Sequence, residues 1–111
     1  MADHSVKKID SSASPTGPDG QKYLVSGKAL AMRLWEEAAG TEGEPHTRPY
    51  ETVGYVVSGR VEIRLGGDVI TCGAGDSYLV PDGAERQYIV HEDLVAVETT
   101  SPPAQVHGRD E

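Results

Sequence analysis

Two short segments of this chain are punctuated at fixed intervals, and that spacing constrains its fold more than any other feature. In the first, Gly40, His46, Arg48, Thr52 and Gly59 stand with five, one, three and six residues between them. In the second, Gly75, Pro81, Gly83, Arg86 and Val90 are separated by five, one, two and three. Glycine accepts backbone conformations that other residues resist, and proline fixes one dihedral, so such residues mark turns. Turns this closely spaced leave room only for short strands between them.

Hydrophobic periodicity agrees. Val61, Ile63 and Leu65 alternate with Glu62 and Arg64, as in a strand with one buried face. Gly66 and Gly67 make a hairpin turn into a following strand. Strands are expected over 54–58, 60–65, 68–72, 77–80, 86–90 and 94–100, with a turn at Pro81, Asp82 and Gly83. The segment 28–37 is in conflict with itself: its Ala, Leu, Met and Glu favour helix, whereas Leu30, Met32 and Leu34 alternate with Ala31, Arg33 and Trp35. We read it as a strand. Polar stretches at 1–20 and 103–111 read as tails around one domain at 21–102. Many short strands in so short a chain predict a small antiparallel barrel or sandwich.

A length of 111 residues supports one domain with a single core. Phe is absent, so Val, Ile and Leu must fill most of that core. A formal charge of −8 repels phosphate, which argues against nucleic acid and anionic membrane surfaces as partners. Cys72 is the single cysteine, so neither an intrachain disulfide nor a Cys-based zinc site is expected. It reads as a small buried hydrophobe. The sequence shows no apolar run of membrane-spanning length and no signal-peptide-like start, and a cytoplasmic location is the expectation.

The two punctuated segments resemble the paired motifs of the cupin family in all their spacings. The resemblance implies an all-β double-stranded β-helix, that is, a jelly-roll barrel. In metal-bearing members three histidines and a glutamate converge on one inner wall. The matching positions here are His46, Arg48, Thr52 and Arg86. Only His46 is a usual ligand: arginine has no lone pair to give, and threonine is a poor donor. Glu51, one position before the expected glutamate, would reach in only through a local bulge. No cofactor is therefore expected; a divalent metal on His46 with non-standard ligands is the lesser alternative.

Alternation places Arg86, Tyr88 and Val90 on one face. The family geometry makes that face the inner one and brings Arg48 into the same cavity. Two guanidinium groups about 7 Å apart would repel by roughly 2 kcal/mol at an effective dielectric near 20. A negative group is expected between them, either a bound anion or a protein carboxylate such as Glu51 or Glu98. Both remain open, as does a solvent-facing pair. Arg48, Arg86, Tyr88, His46 and Tyr50 are the ligand-binding candidates. The expected function is binding of a small anionic molecule, an organic acid or a sugar derivative, inside the barrel. The alternative is an isomerase, epimerase or lyase on such a molecule, with His46 and Glu51 as acid–base groups and Tyr88 assisting. Tyr55, Tyr78 and Trp35 read as packing residues, and His91 and His107 as surface ones. A homodimer is expected, because small cupins commonly pair through sheet edges.

Overall fold

The computed structural model describes residues 6–110. After a single 3-10 turn at Ser11–Ala13 come six strands: β1 (Lys22–Ser26), β2 (Ala31–Glu37), β3 (Glu51–Leu65), β4 (Asp68–Gly73), β5 (Ser77–Val80) and β6 (Arg86–Ser101). All pairings between these strands are antiparallel, in the order β1-β2-β6-β3-β4, with β5 added to β3. The fold is all-β, a double-stranded β-helix. Among the described residues no helix is long and apolar enough to cross a membrane.

Within the segment at 28–37, Ala31–Glu37 form a strand, as the alternation indicates, but apolarity does not mark its inner face. Ala31 and Arg33 are buried, whereas Leu30 is 50 % exposed. Pairing with β6 from Ala31↔Thr100 to Glu37↔Leu94 overrides the helical propensity of its residues.

Two pairs of short strands expected from the sequence are continuous instead. Residues 54–58 and 60–65 belong to one strand, β3, and residues 86–90 and 94–100 to another, β6. The chain bends without breaking, because the register between β3 and β6 shifts at Val56/Ser58, Ser58/Arg60 and Arg60/Val61. Such bulges raise local twist and turn a long strand around a corner. Gly59 makes the bend possible. Its φ is 89°, and a Cβ there would stand 2.0 Å from the Asp93 carbonyl oxygen.

Inward residues of β3, β4, β5 and β6 form the core: Val56, Val61, Ile63, Cys72, Tyr78, Val80, Val90, Leu94 and Ala96. On β3 the alternation is regular, with Thr52, Gly54 and Val56 inside and Val53, Tyr55 and Val57 outside. The stretches at 15–21 and 102–110 lie against this barrel. Tyr23 donates its backbone N–H to the Pro15 carbonyl, and Gly17 donates to Gln21. Beyond β6 the chain folds back so that Ala104 and Asp110 are buried.

Candidate functional site

A cavity of about 410 Å³ opens into the barrel. Alternation along β2 aims Arg33, Trp35 and Glu37 into it, and β6 supplies Tyr88, Val90 and Glu98. The connection between β2 and β3 adds Thr41, Glu44, His46, Arg48 and Tyr50, and the approach to β1 adds Asp19 and Gln21.

One wall is aromatic. The Trp35 and Tyr88 rings meet edge to face with centroids 4.9 Å apart at 67°, and the His46 ring lies 6.1 Å from Tyr88. Burial raises the Tyr88 phenol well above its usual range, so it stays a neutral donor. The Nδ1 of His46 lies 2.8 Å from the Glu44 carbonyl oxygen. A carbonyl only accepts, so Nδ1 carries the proton, and in the neutral ring Nε2 keeps its lone pair.

Beside the aromatic wall lies a buried charge network centred on Arg33, two residues from Trp35 along β2. Its Nε donates to Glu98 Oε1 at 2.8 Å across the β2/β6 pair that sets these residues side by side. Its Nη1 donates to the Tyr50 hydroxyl at 2.9 Å and to Asp110 Oδ1 at 3.3 Å. Burial opposes the Arg33 charge, but Glu98, Tyr50 and Asp110 outweigh it and hold the guanidinium protonated. The second Glu98 oxygen accepts from the Tyr78 hydroxyl at 2.5 Å. Tyr78 can reach it because Gly54 lies between them in register, paired with Tyr78 on one side and Glu98 on the other. The Tyr78 ring crosses over the bare glycine backbone. Burial, reinforced by Glu98, pushes the Tyr78 phenol far up.

Of the expected ligand-binding residues, the structure brings His46, Arg48, Tyr50 and Tyr88 to the cavity. Arg86 is not part of its lining. It opens β6 at the barrel's end, is 2 % exposed, and turns Nη2 to the Pro81 carbonyl at 3.2 Å. Glu51 is exposed on the outer side of β3, while its neighbour Thr52 is buried. No bulge at 51–52 carries Glu51 inward, because the β3/β6 register runs unbroken from Glu51 to Val56. The acid–base pair of His46 with Glu51 is therefore not assembled.

The carboxylate expected between two guanidinium groups does exist, with different members. Arg33 and Arg48 share Asp110, with Arg48 Nε 3.6 Å from Oδ1, and Arg48 also meets Asp19 at 3.3 Å. Arg33 and Asp110 are not among the residues expected from the sequence. A charged residue flanked by Ala31 and Trp35 in a strand was the available signal for Arg33; nothing local marks Asp110. Tyr78, read as packing, both packs in the core and holds Glu98.

The family's metal does not fit these residues. Arg48 and Arg86 cannot ligate, Thr52 is buried outside the cavity lining, and His46 alone remains. Among the described residues no three His, Cys, Asp or Glu side chains converge as a metal-holding group. Elsewhere, His91 Nε2 lies 3.0 Å from Glu62 on the surface, and burial raises the Cys72 thiol.

The family model described as "Cupin domain" matches residues 33–101. No curated protein matches the chain. Among solved structures, an RmlC-like cupin from Shewanella frigidimarina is similar at 22 % identity and a TM-score of 0.77, covering 91 % of this chain and 95 % of that one. KdgF from Halomonas sp. is similar at 24 % identity and a TM-score of 0.70, covering 79 % and 84 %. The EutQ protein of Clostridium difficile shows 21 % identity and a TM-score of 0.68, covering 86 % and 75 %. Identities this low speak for the fold alone.

Proposed function

The chain belongs to the cupin domain family, and we propose that its barrel binds a small sugar-derived, polyhydroxylated molecule without using the family's metal. The observation that carries this reading is the division of the cavity into an aromatic wall, Trp35 with Tyr88, and a wall of fixed hydrogen-bonding groups, Arg33, Glu98 and Arg48. A sugar ring has apolar C–H faces that rest on aromatic rings and hydroxyls that both donate and accept. A free anion that displaces no resident carboxylate is less suited to the open part of the cavity. Both guanidinium groups there already hold carboxylates, and Asp19, Glu37, Glu44 and Glu98 add negative charge to the lining.

Trp35 is the single tryptophan, so its fluorescence reports on the site. Titration with a panel of neutral monosaccharides and polyols is expected to change its emission saturably. Ligand at a hundred times Kd should stabilise the fold by about 2.7 kcal/mol. Flat titrations and an unmoved Tm across the panel would refute the reading.

An enzymatic version of the same site draws on the His46 tautomer. With Nδ1 committed to Glu44, Nε2 is left as an acceptor, suited to a general base in an isomerase, epimerase or lyase acting on the bound molecule. In that version His46→Gln abolishes turnover and keeps binding; turnover unaffected by the substitution removes it.

A further inference from the structure

The Asp110 carboxylate is gripped by more donors than one ion pair requires. Tyr23 Oη reaches Oδ2 at 2.5 Å and Gln21 Nε2 reaches it at 3.2 Å. The Tyr50 hydroxyl donates to Oδ1. Arg33 Nη1 lies 3.3 Å from Oδ1 and 3.4 Å from Oδ2, and Arg48 Nε lies 3.6 Å from Oδ1. These donors come from β1, β2 and the two connections beside them, all parts of the barrel's frame. The occupant does not. It arrives on residues 102–110, which form bends and turns and belong to no strand or helix. Besides the contacts of Asp110, Ala104 N donates to Thr100 Oγ1, while Arg109 bonds within the segment, to Val106 and Pro103.

The receptor therefore exists on β1, β2 and the connections beside them, and a piece of the same chain outside the sheet fills it. Four of its five members, Gln21, Arg33, Arg48 and Tyr50, also line the cavity. A molecule in the cavity meets the same four side chains.

We propose that these residues form a carboxylate-binding subsite whose resident is the chain's own Asp110, and that a small carboxylate entering through the cavity takes its place. The C-terminal segment is thus an internal competitor: it holds the two guanidinium groups in place and excludes weak anions. A carboxylate on the incoming molecule replaces like with like, so the buried charge balance around Arg33 is preserved. An uncharged molecule gains no such exchange. This deepens the small-molecule reading above and rests on it only for the route of entry.

The probe is acetate, followed through the Arg33 and Arg48 Nε–Hε signals of isotope-labelled protein. A resident that occupies the site most of the time weakens apparent affinity by the fraction of time the site is open. Asp110→Ala is therefore expected to bind acetate at least about tenfold more tightly than the unaltered chain, with both arginine signals shifting to saturation. Asp110→Asn keeps the shape, removes the charge, and serves if the alanine variant fails to fold. Arginine signals unmoved by acetate in a folded variant would overturn the proposal, as would equal acetate affinity with and without the Asp110 charge. The neutral-sugar titration of Trp35, run on the same variants, separates the two readings. Sugar response without acetate binding sinks the carboxylate subsite alone; acetate binding without sugar response sinks the polyhydroxylated ligand and leaves the subsite.

Discussion

Placing a methyl group at Gly54 tests how the charged wall is held. Gly54 is outside the left-handed backbone region, so alanine is not strained there by its φ. The obstacle is the Tyr78 ring, whose Cζ lies 2.2 Å from where the new Cβ would stand. Tyr78 is 6 % exposed and has nowhere to retreat without disturbing the core. Forcing a methyl group into a filled space costs about 1–3 kcal/mol. Displacing the ring also breaks the Tyr78–Glu98 bond, and a hydrogen bond to a charged group contributes about 1.5–3 kcal/mol. Reduced chain entropy in the unfolded state returns about 0.4–1 kcal/mol. Gly54→Ala should therefore destabilise by about 2–5 kcal/mol, a large part of a typical domain's 5–15. Urea unfolding should show the midpoint falling at constant slope. In a Tyr78→Ala background the methyl has room, and the same change should be neutral or stabilise by about 0.4–1 kcal/mol. A full cost that persists without the Tyr78 ring would refute the reasoning, as would a cost below about 1 kcal/mol with the ring present.

Arg33→Met should cost about 3–5 kcal/mol, because it strands Glu98 and Asp110 as buried carboxylates without their shared cation, and Tm should fall by roughly 12 °C or more in thermal unfolding. Asp19→Ala, at the exposed end of its pair with Arg48, should change stability by less than about 1 kcal/mol in the same assay. Alkali should unfold the protein through its buried phenols. Burial pushes Tyr50 up to about 12 against the opposing pull of Arg33, while an unfolded tyrosine titrates near 10. Its contribution is thus fully present below about pH 10 and is lost as pH rises toward about 12, because the unfolded chain gives up the proton first. In a Tyr55→Phe background, which removes the exposed phenol, phenolate absorbance rising ahead of the unfolding transition would contradict this.

The barrel was legible because its determinants are local. Glycines at turns, the alternation of Val61, Ile63 and Leu65, and the spacing of two motifs each act over a few residues. The site was legible only where a motif position carried it, as at His46 and Arg48. Arg86 occupies a motif position too, yet its side chain serves a turn carbonyl, because spacing fixes a backbone location and not where a long flexible side chain ends. The partnership of Arg33 with Glu98 depends on which strands become neighbours, 65 residues apart in sequence. Asp110 lies in a stretch whose polarity reads as solvated tail, and only the tertiary arrangement of five donors around it gives that carboxylate a reason to be inside.

That arrangement bears on how the molecule assembles. Gln21 and Tyr23 meet Asp110 across sequence separations of 89 and 87, so nearly the whole chain must be in place before these bonds can close. Contacts of such range carry the largest loop-closure entropy and contribute little until the rest is formed. The clasp on Asp110 is then the last part to be fastened and the first to come undone. Amide exchange should record it as a seam between β1 and residues 102–110 that opens while the central strands stay protected.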